Sequence, residues 1–236
     1  MALQSAADRS VTERPSPDPH FRDPAAGRAA GYVLAVASVL VTFGLLFHPM
    51  PSRGFEERPS VLANTPWWGA IHVAIAAGFV ACALGALLML VAGGPGRARW
   101  TRALFWGSMC VGMIYFTGVA LINGWVMHKL VPFAAEERAL YDAMNHLLIG
   151  FGWLGNPLFL FGLTGLAIEE LRWRDLALPR WLAVAGVVVT ILSWGRGIGS
   201  ATGLYFLEVL IYANVPAFLW LGYYGWRVST MKRADD

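Results

Sequence analysis

His128–His146, HKLVPFAAEERALYDAMNH, decides the fold of this chain, because it forms a short polar hairpin between two long apolar runs. A histidine stands where each run meets the hairpin. The two preceding apolar runs repeat the pattern, with His48 closing the first and His72 opening the second. Long apolar runs joined by short polar links are typical of helices that cross a membrane back and forth. Four of the five histidines are therefore expected at one level, on one side of a membrane.

The composition also indicates a membrane protein. Of the 236 residues, 57% are hydrophobic and only 14% are charged, whereas soluble domains carry about 25% charged residues. The two cysteines, Cys82 and Cys110, lie far apart inside apolar runs and fit no metal or redox motif. The net charge of +3 is modest and no basic stripe with interleaved aromatic residues is present, so a nucleic-acid partner is not expected.

Six apolar runs each approach the roughly 20 residues that a helix needs to cross the hydrocarbon core. Within lipid each run must satisfy its own backbone hydrogen bonds, so all six are expected to be helical. We predict an all-α, polytopic membrane domain at 29–226, between a disordered cytoplasmic tail at 1–28 and a cytoplasmic C-terminal tail at 227–236. The predicted transmembrane helices are 29–47, 67–92, 103–127, 144–168, 181–198 and 203–226.

The distribution of lysine and arginine predicts the orientation. Thirteen of these 18 residues fall in the two tails and in the 93–102 and 169–180 loops, and five fall in the alternate loops. Basic residues accumulate on the cytoplasmic side, so both termini are predicted inside, in a bacterial inner membrane. Tryptophans are expected to form belts at both interfaces: Trp67, Trp68, Trp125 and Trp194 outside, and Trp100, Trp106, Trp181 and Trp226 inside.

Four histidines, His48, His72, His128 and His146, are the candidate site residues at the outer end. His72 and His146 lie deepest within their runs, and an ionisable residue inside a spanning helix is costly unless it faces protein, water or a cofactor. Each histidine also has a glycine about one helical turn away, which would leave bare backbone beside the imidazole for a flat macrocycle. These glycines are Gly44, Gly69, Gly124 and Gly150.

Two kinds of cofactor fit this pattern. One is haem b with two axial histidines, for which His72 and His146 would face each other while His48 and His128 tune access or potential. The other is copper or another non-haem metal, held by His72 and His146 together with Asp142 and Glu208. Di-iron oxygenases need longer histidine motifs, which this chain lacks.

The leading hypothesis is a membrane redox subunit that exchanges electrons with quinol or a periplasmic carrier. Histidine is also common at membrane interfaces without any cofactor, so a cofactor-free accessory or scaffold subunit of a larger membrane complex is the main alternative. A small transporter is the third hypothesis, and Asn123, Asn156 and Arg196 are among the residues that would line its substrate path. Hydrolase and phosphate-binding motifs are missing from the sequence.

Overall fold

Six α-helices build the protein in a computed structural model that describes residues 23–48, 62–93, 99–172, 177–202 and 205–231. No strand occurs in these ranges. The helices are α1 (Pro24–Leu46), α2 (Trp68–Ala92), α3 (Arg99–Leu121), α4 (Arg138–Arg172), α5 (Arg180–Thr202) and α6 (Asn214–Ser229). A π-helix, Ile122–Met127, extends α3, and a 3-10 helix, Tyr205–Ala213, precedes α6.

Five of these segments are long and apolar enough to cross a membrane, namely α1, α2, α3 with its extension, α4 and α5. The sixth predicted run is divided between two helix types. The 16 residues of α6 rise only about 24 Å, while the preceding 3-10 helix adds about 18 Å. Together they exceed the roughly 30 Å of hydrocarbon. The prediction of an all-α, multi-pass membrane protein is confirmed.

The start of α1 is set by a local signal that hydropathy does not detect. The Asp23 carboxylate accepts hydrogen bonds from the backbone N–H groups of Ala25 and Ala26, both at 3.0 Å. Pro24 occupies the first helical turn, where its missing N–H costs nothing. Residues 24–28 are therefore helical, although the sequence analysis placed them in the disordered tail; residues 1–22 of that tail lie outside the described residues.

The helices pack as a closed up-and-down bundle. Each helix contacts the next along the chain, and α6 returns to pack against α1. Phenylalanines from four helices meet at the centre: the rings of Phe79 and Phe116 lie 5.3 Å apart, and those of Phe159 and Phe218 are stacked at 5.1 Å. Because α3 packs against both α2 and α4, it stands between the two helices that carry His72 and His146.

The outer surface of the bundle is apolar, as contact with lipid requires. Large hydrophobic side chains on α1 point away from the core, including Val36, Val39 and Phe43. Most predicted interfacial tryptophans are exposed: Trp67, Trp100, Trp125, Trp181 and Trp226. The prediction was wrong for Trp68 and Trp106, which are 1% and 0% exposed.

Candidate functional site

Three polar side chains meet at one end of the bundle, where α1 ends, α2 begins and the π-helix follows α3. The Nε2 atoms of His48 and His72 lie 3.1 Å apart. The amide nitrogen Nδ2 of Asn123 lies 2.9 Å from the same Nε2 atom of His72. We call these residues the His48–His72–Asn123 cluster. Its polar contacts join three consecutive segments of the chain, and it is the candidate functional site.

His72 is the fixed centre of the cluster. It lies one turn into α2, is 4% exposed, and its Nδ1 is 2.8 Å from the backbone oxygen of Trp68. A carbonyl oxygen only accepts hydrogen bonds, so Nδ1 carries a proton and donates it. In the neutral ring the lone pair is then on Nε2, the atom that faces His48 and Asn123. Metal-binding histidines are commonly oriented in this way, by a carbonyl that accepts from the other ring nitrogen.

The π-helix brings Asn123 to His72. In a π-helix the hydrogen bonds span five residues instead of four, so the turn widens, and such turns occur frequently at functional sites. Gly124, the next residue, allows the close approach, because a Cβ atom at this position would overlap the His72 side chain. The indole of Trp68 donates a hydrogen bond to the backbone oxygen of Asn123 at 3.0 Å. Asn123 itself is only 5% exposed, so its position is well determined by packing.

An aromatic wall shields the cluster. The ring of Trp68 lies 4.5 Å from that of His72 and 4.8 Å from that of His48, measured between centroids. Trp68 also belongs to a small apolar cluster at this end of the bundle, whose buried members are Leu62, Trp68, Met127, Tyr141 and Leu148. This apolar setting strengthens electrostatic interactions within the site. His48 is half-buried, so it is the more accessible of the two imidazoles.

The spacing of the two imidazoles suits neighbouring ligands of one metal ion. With metal–nitrogen bonds of about 2.0–2.1 Å, the 3.1 Å separation corresponds to a ligand–metal–ligand angle of roughly 100°. Opposite axial ligands would instead stand about 4 Å apart at the same bond length. The two rings are 4.8 Å apart between centroids and inclined at 62°. This geometry favours a small non-haem ion over a haem between the two histidines.

The structure does not bring His72 and His146 together. His146 lies two turns into α4 with an exposed side chain, whereas His72 is buried against His48 and Asn123. The expectation that His72 and His146 face each other across one gap is therefore not met. His128 follows the π-helix at the same end of the bundle, and its Nδ1 is buried without a hydrogen-bond partner among the described residues.

Of the two predicted carboxylate ligands, Asp142 does not join the cluster. Asp142 pairs instead with Arg138, whose Nε lies 2.8 Å from the Asp142 carboxylate on the surface of α4. Glu208 lies in the 3-10 helix, and its side chain is outside the described residues. Among the residues described, no three histidine, cysteine, aspartate or glutamate side chains are close enough to hold a metal ion. A metal at the cluster would thus need a different third donor.

At three of the four positions the glycine beside the histidine lies close to a neighbouring segment, including Gly69, where a Cβ atom would stand 3.3 Å from the backbone oxygen of Gly124. A Cβ atom at Gly44 would overlap Ile75 of α2, and one at Gly124 would overlap His72. At Gly150 no atom lies within 4 Å of the site where a Cβ would stand. Small residues in membrane helices commonly permit close helix contact in this way.

Sequence reasoning missed Trp68 and gave Asn123 a role only in the transporter alternative. The available signal was the pair Asn123–Gly124 within an otherwise apolar run, where a buried amide needs hydrogen-bond partners. Trp68 was assigned to the interface because it lies at the start of its run. Nothing in the sequence indicates which of two adjacent tryptophans, Trp67 or Trp68, faces the core.

Comparisons with protein families, curated proteins and solved structures give no match for this chain.

Proposed function

We propose that this chain is a metal-binding membrane redox protein whose ion is held by His48 and His72. The observation that carries the proposal is the separation of 3.1 Å between the Nε2 atoms of His48 and His72. The hydrogen bond from His72 to Trp68 leaves the lone pair of His72 on Nε2, where it faces His48. An imidazole with a fixed tautomer, a shielded position and a second imidazole at the right distance is the usual basis of a metal site.

Copper is the ion that best combines these ligands with redox activity. Imidazole binds copper, zinc, iron and nickel, and copper binds most tightly in the general order of divalent ions. Zinc would fit the same ligands but has no redox activity. Haem b remains the weaker choice, because the two rings are too close to accept a macrocycle between them.

The proposed electron partner is quinol or a periplasmic carrier. We place the end of the bundle that holds the cluster at the periplasmic face of a bacterial inner membrane, because thirteen of the 18 basic residues fall in segments assigned to the opposite side. An ion bound at this end of the bundle would exchange electrons with either partner at that face. The half-buried His48 ring would then lie on the route of electron transfer.

Metal titration of the detergent-purified full chain tests the proposal. We expect about one copper(II) ion per chain, resistant to gel filtration. The purified protein should show no Soret band, and a soluble quinol should bleach the copper(II) absorption. A chain that retains neither copper nor zinc, or one purified with haem, would refute the non-haem site. Copper that quinol leaves oxidised would exclude quinol as the partner.

A cofactor-free scaffold is the second candidate, and one observation favours it. A hydrogen bond between His48 and His72 would by itself join α1 to α2, with Asn123 tying α3 to the same point. Under this alternative the titration detects no bound metal, and replacing either histidine lowers stability without any further consequence. The same experiment therefore separates the two candidates.

A further inference from the structure

The Nε2 atom of His72 faces two polar neighbours but has only one lone pair. Asn123 Nδ2 lies at 2.9 Å and His48 Nε2 at 3.1 Å. In a neutral ring this lone pair accepts one strong hydrogen bond, so the two neighbours compete for it. A cation between the three side chains removes the competition, because each of them then contributes an electron pair to the same centre.

We propose that Asn123 is the third metal ligand, through its amide oxygen Oδ1; this inference rests on the proposed metal-binding function. A half-turn about the Asn123 Cβ–Cγ bond exchanges Oδ1 and Nδ2, and this torsion is soft and roughly two-fold. In the metal-free protein the amide nitrogen donates to His72. On metal binding the oxygen takes the place of that nitrogen and faces the ion. The His72 lone pair, formerly engaged by the amide, then binds the metal.

The distances agree with this exchange. An oxygen placed where Nδ2 now stands would be 2.9 Å from His72 Nε2, the separation of two ligands about 90° apart around an ion with bonds near 2.0–2.1 Å. The Nε2 atoms of His48 and His72, 3.1 Å apart, give a similar ligand–metal–ligand angle. Each distance therefore fits a pair of adjacent ligand positions around an ion bound to His72 Nε2.

The π-helix holds the third ligand in place. The hydrogen bond from Trp68 to the Asn123 backbone oxygen and the contact between Gly124 and His72 both fix the turn that carries the amide. The backbone therefore needs no rearrangement when the side chain turns over. Trp68 supports two ligands at once, since its own backbone oxygen orients His72. It is a positioning residue and does not itself bind the ion.

A set of two imidazoles and one amide oxygen selects a class of ion. Carbonyl oxygen is a hard donor, while soft copper(I) prefers thiolate and thioether ligands. The three ligands therefore favour copper(II), or zinc(II) as its redox-inactive counterpart, over copper(I). It follows that Asn123 should stabilise the oxidised state of bound copper, and that changing its oxygen donor should shift the reduction potential.

Two substitutions of Asn123 test this assignment in the full-length, detergent-purified chain, with copper(II) and copper(I) as separate probes. We expect Asn123→Leu to weaken copper(II) binding at least about tenfold and to raise the reduction potential of the bound ion. Asn123→Asp should do the opposite on both counts, because a carboxylate is a stronger hard donor. Asn156→Leu in α4 is the matched control, an identical change in another membrane helix, and should alter neither quantity.

A merely structural asparagine gives a different pattern. If Asn123 only donates a hydrogen bond to His72, both Asn123→Leu and Asn123→Asp remove that donor and should change copper(II) and copper(I) binding alike, with no opposed shifts in potential. That result would overturn the assignment of Asn123 as a ligand while leaving the two-histidine site intact. Failure of the unsubstituted chain to bind either copper probe would instead overturn the proposed function itself.

Discussion

His72→Ala should reduce the affinity for copper(II) by more than about 100-fold, since loss of residues that only orient a ligand already costs about 10–100-fold. The His72 imidazole is the most buried donor of the cluster and contacts both other members. Its loss leaves His48 as the remaining imidazole of the cluster, and a single imidazole binds metal weakly. Competition against a copper chelator of known affinity measures the effect.

The matched control is His146→Ala, which removes an exposed histidine from α4 at the same end of the bundle. It should leave copper affinity unchanged, whereas His48→Ala should resemble His72→Ala. Equal losses in His72→Ala and His146→Ala would favour the bridging arrangement expected from the sequence alone. No loss in any of the three variants would place bound copper outside the cluster. Each variant is checked for monodisperse elution in detergent before titration.

Gly112→Ala should destabilise the bundle by about 1–3 kcal/mol, the usual cost of overpacking. A Cβ atom at Gly112 would lie 2.6 Å from the backbone nitrogen of Phe159 and 2.9 Å from the backbone oxygen of Gly155. Backbone atoms cannot rotate away as a side chain can, so α3 and α4 must separate. Titration of the protein in a mild detergent with a denaturing detergent gives the free energy of unfolding of each variant.

Gly107→Ala is the control, on the same helix and with the same chemical change. No atom lies within 4 Å of the position where its Cβ would stand, and alanine favours the helix over glycine by about 1 kcal/mol. This variant should therefore be as stable as the unsubstituted chain or slightly more so. Equal destabilisation by the two substitutions would mean that α3 and α4 do not approach each other at Gly112.

The sequence predicts the helices of this protein well because lipid leaves few choices. A run of about 20 apolar residues must satisfy its backbone within itself, so hydropathy alone places the helices. Hydropathy predicts the ends of the helices less accurately. Asp23 and Pro24 extend α1 by a capping signal, and α4 begins at Arg138, ahead of the apolar run, in a polar stretch that hydropathy does not mark as helical.

The candidate site is predicted only in part. The position of a histidine along its helix follows from the sequence, so His48 and His72 were expected at one level. Which faces meet depends on helix rotation, and this is decided by small contacts such as that of Gly124 with His72. Hydropathy contains no information about such contacts. For this reason the partner of His72 was expected to be His146, but it is His48 in the structure.

The π-helix has the least sequence signal of all. Ile122–Met127 is apolar apart from Asn123, and nothing in its periodicity distinguishes a π turn from an α turn. Its wider turn is stabilised by tertiary contacts, chiefly the Trp68 hydrogen bond to Asn123. Local propensity does not predict this π-helix. For this reason Asn123 was not predicted to lie beside His72.

Pulsed electron paramagnetic resonance of the copper(II)-loaded chain tests the central claim most directly, because the remote imidazole nitrogen modulates the electron spin echo. The account predicts two equivalent histidine ligands in the unsubstituted protein, one in His48→Ala loaded with excess copper, and two in His146→Ala. A signal from two imidazoles that persists in His48→Ala and in His72→Ala, or a signal without any imidazole, would contradict a metal site formed by His48 and His72.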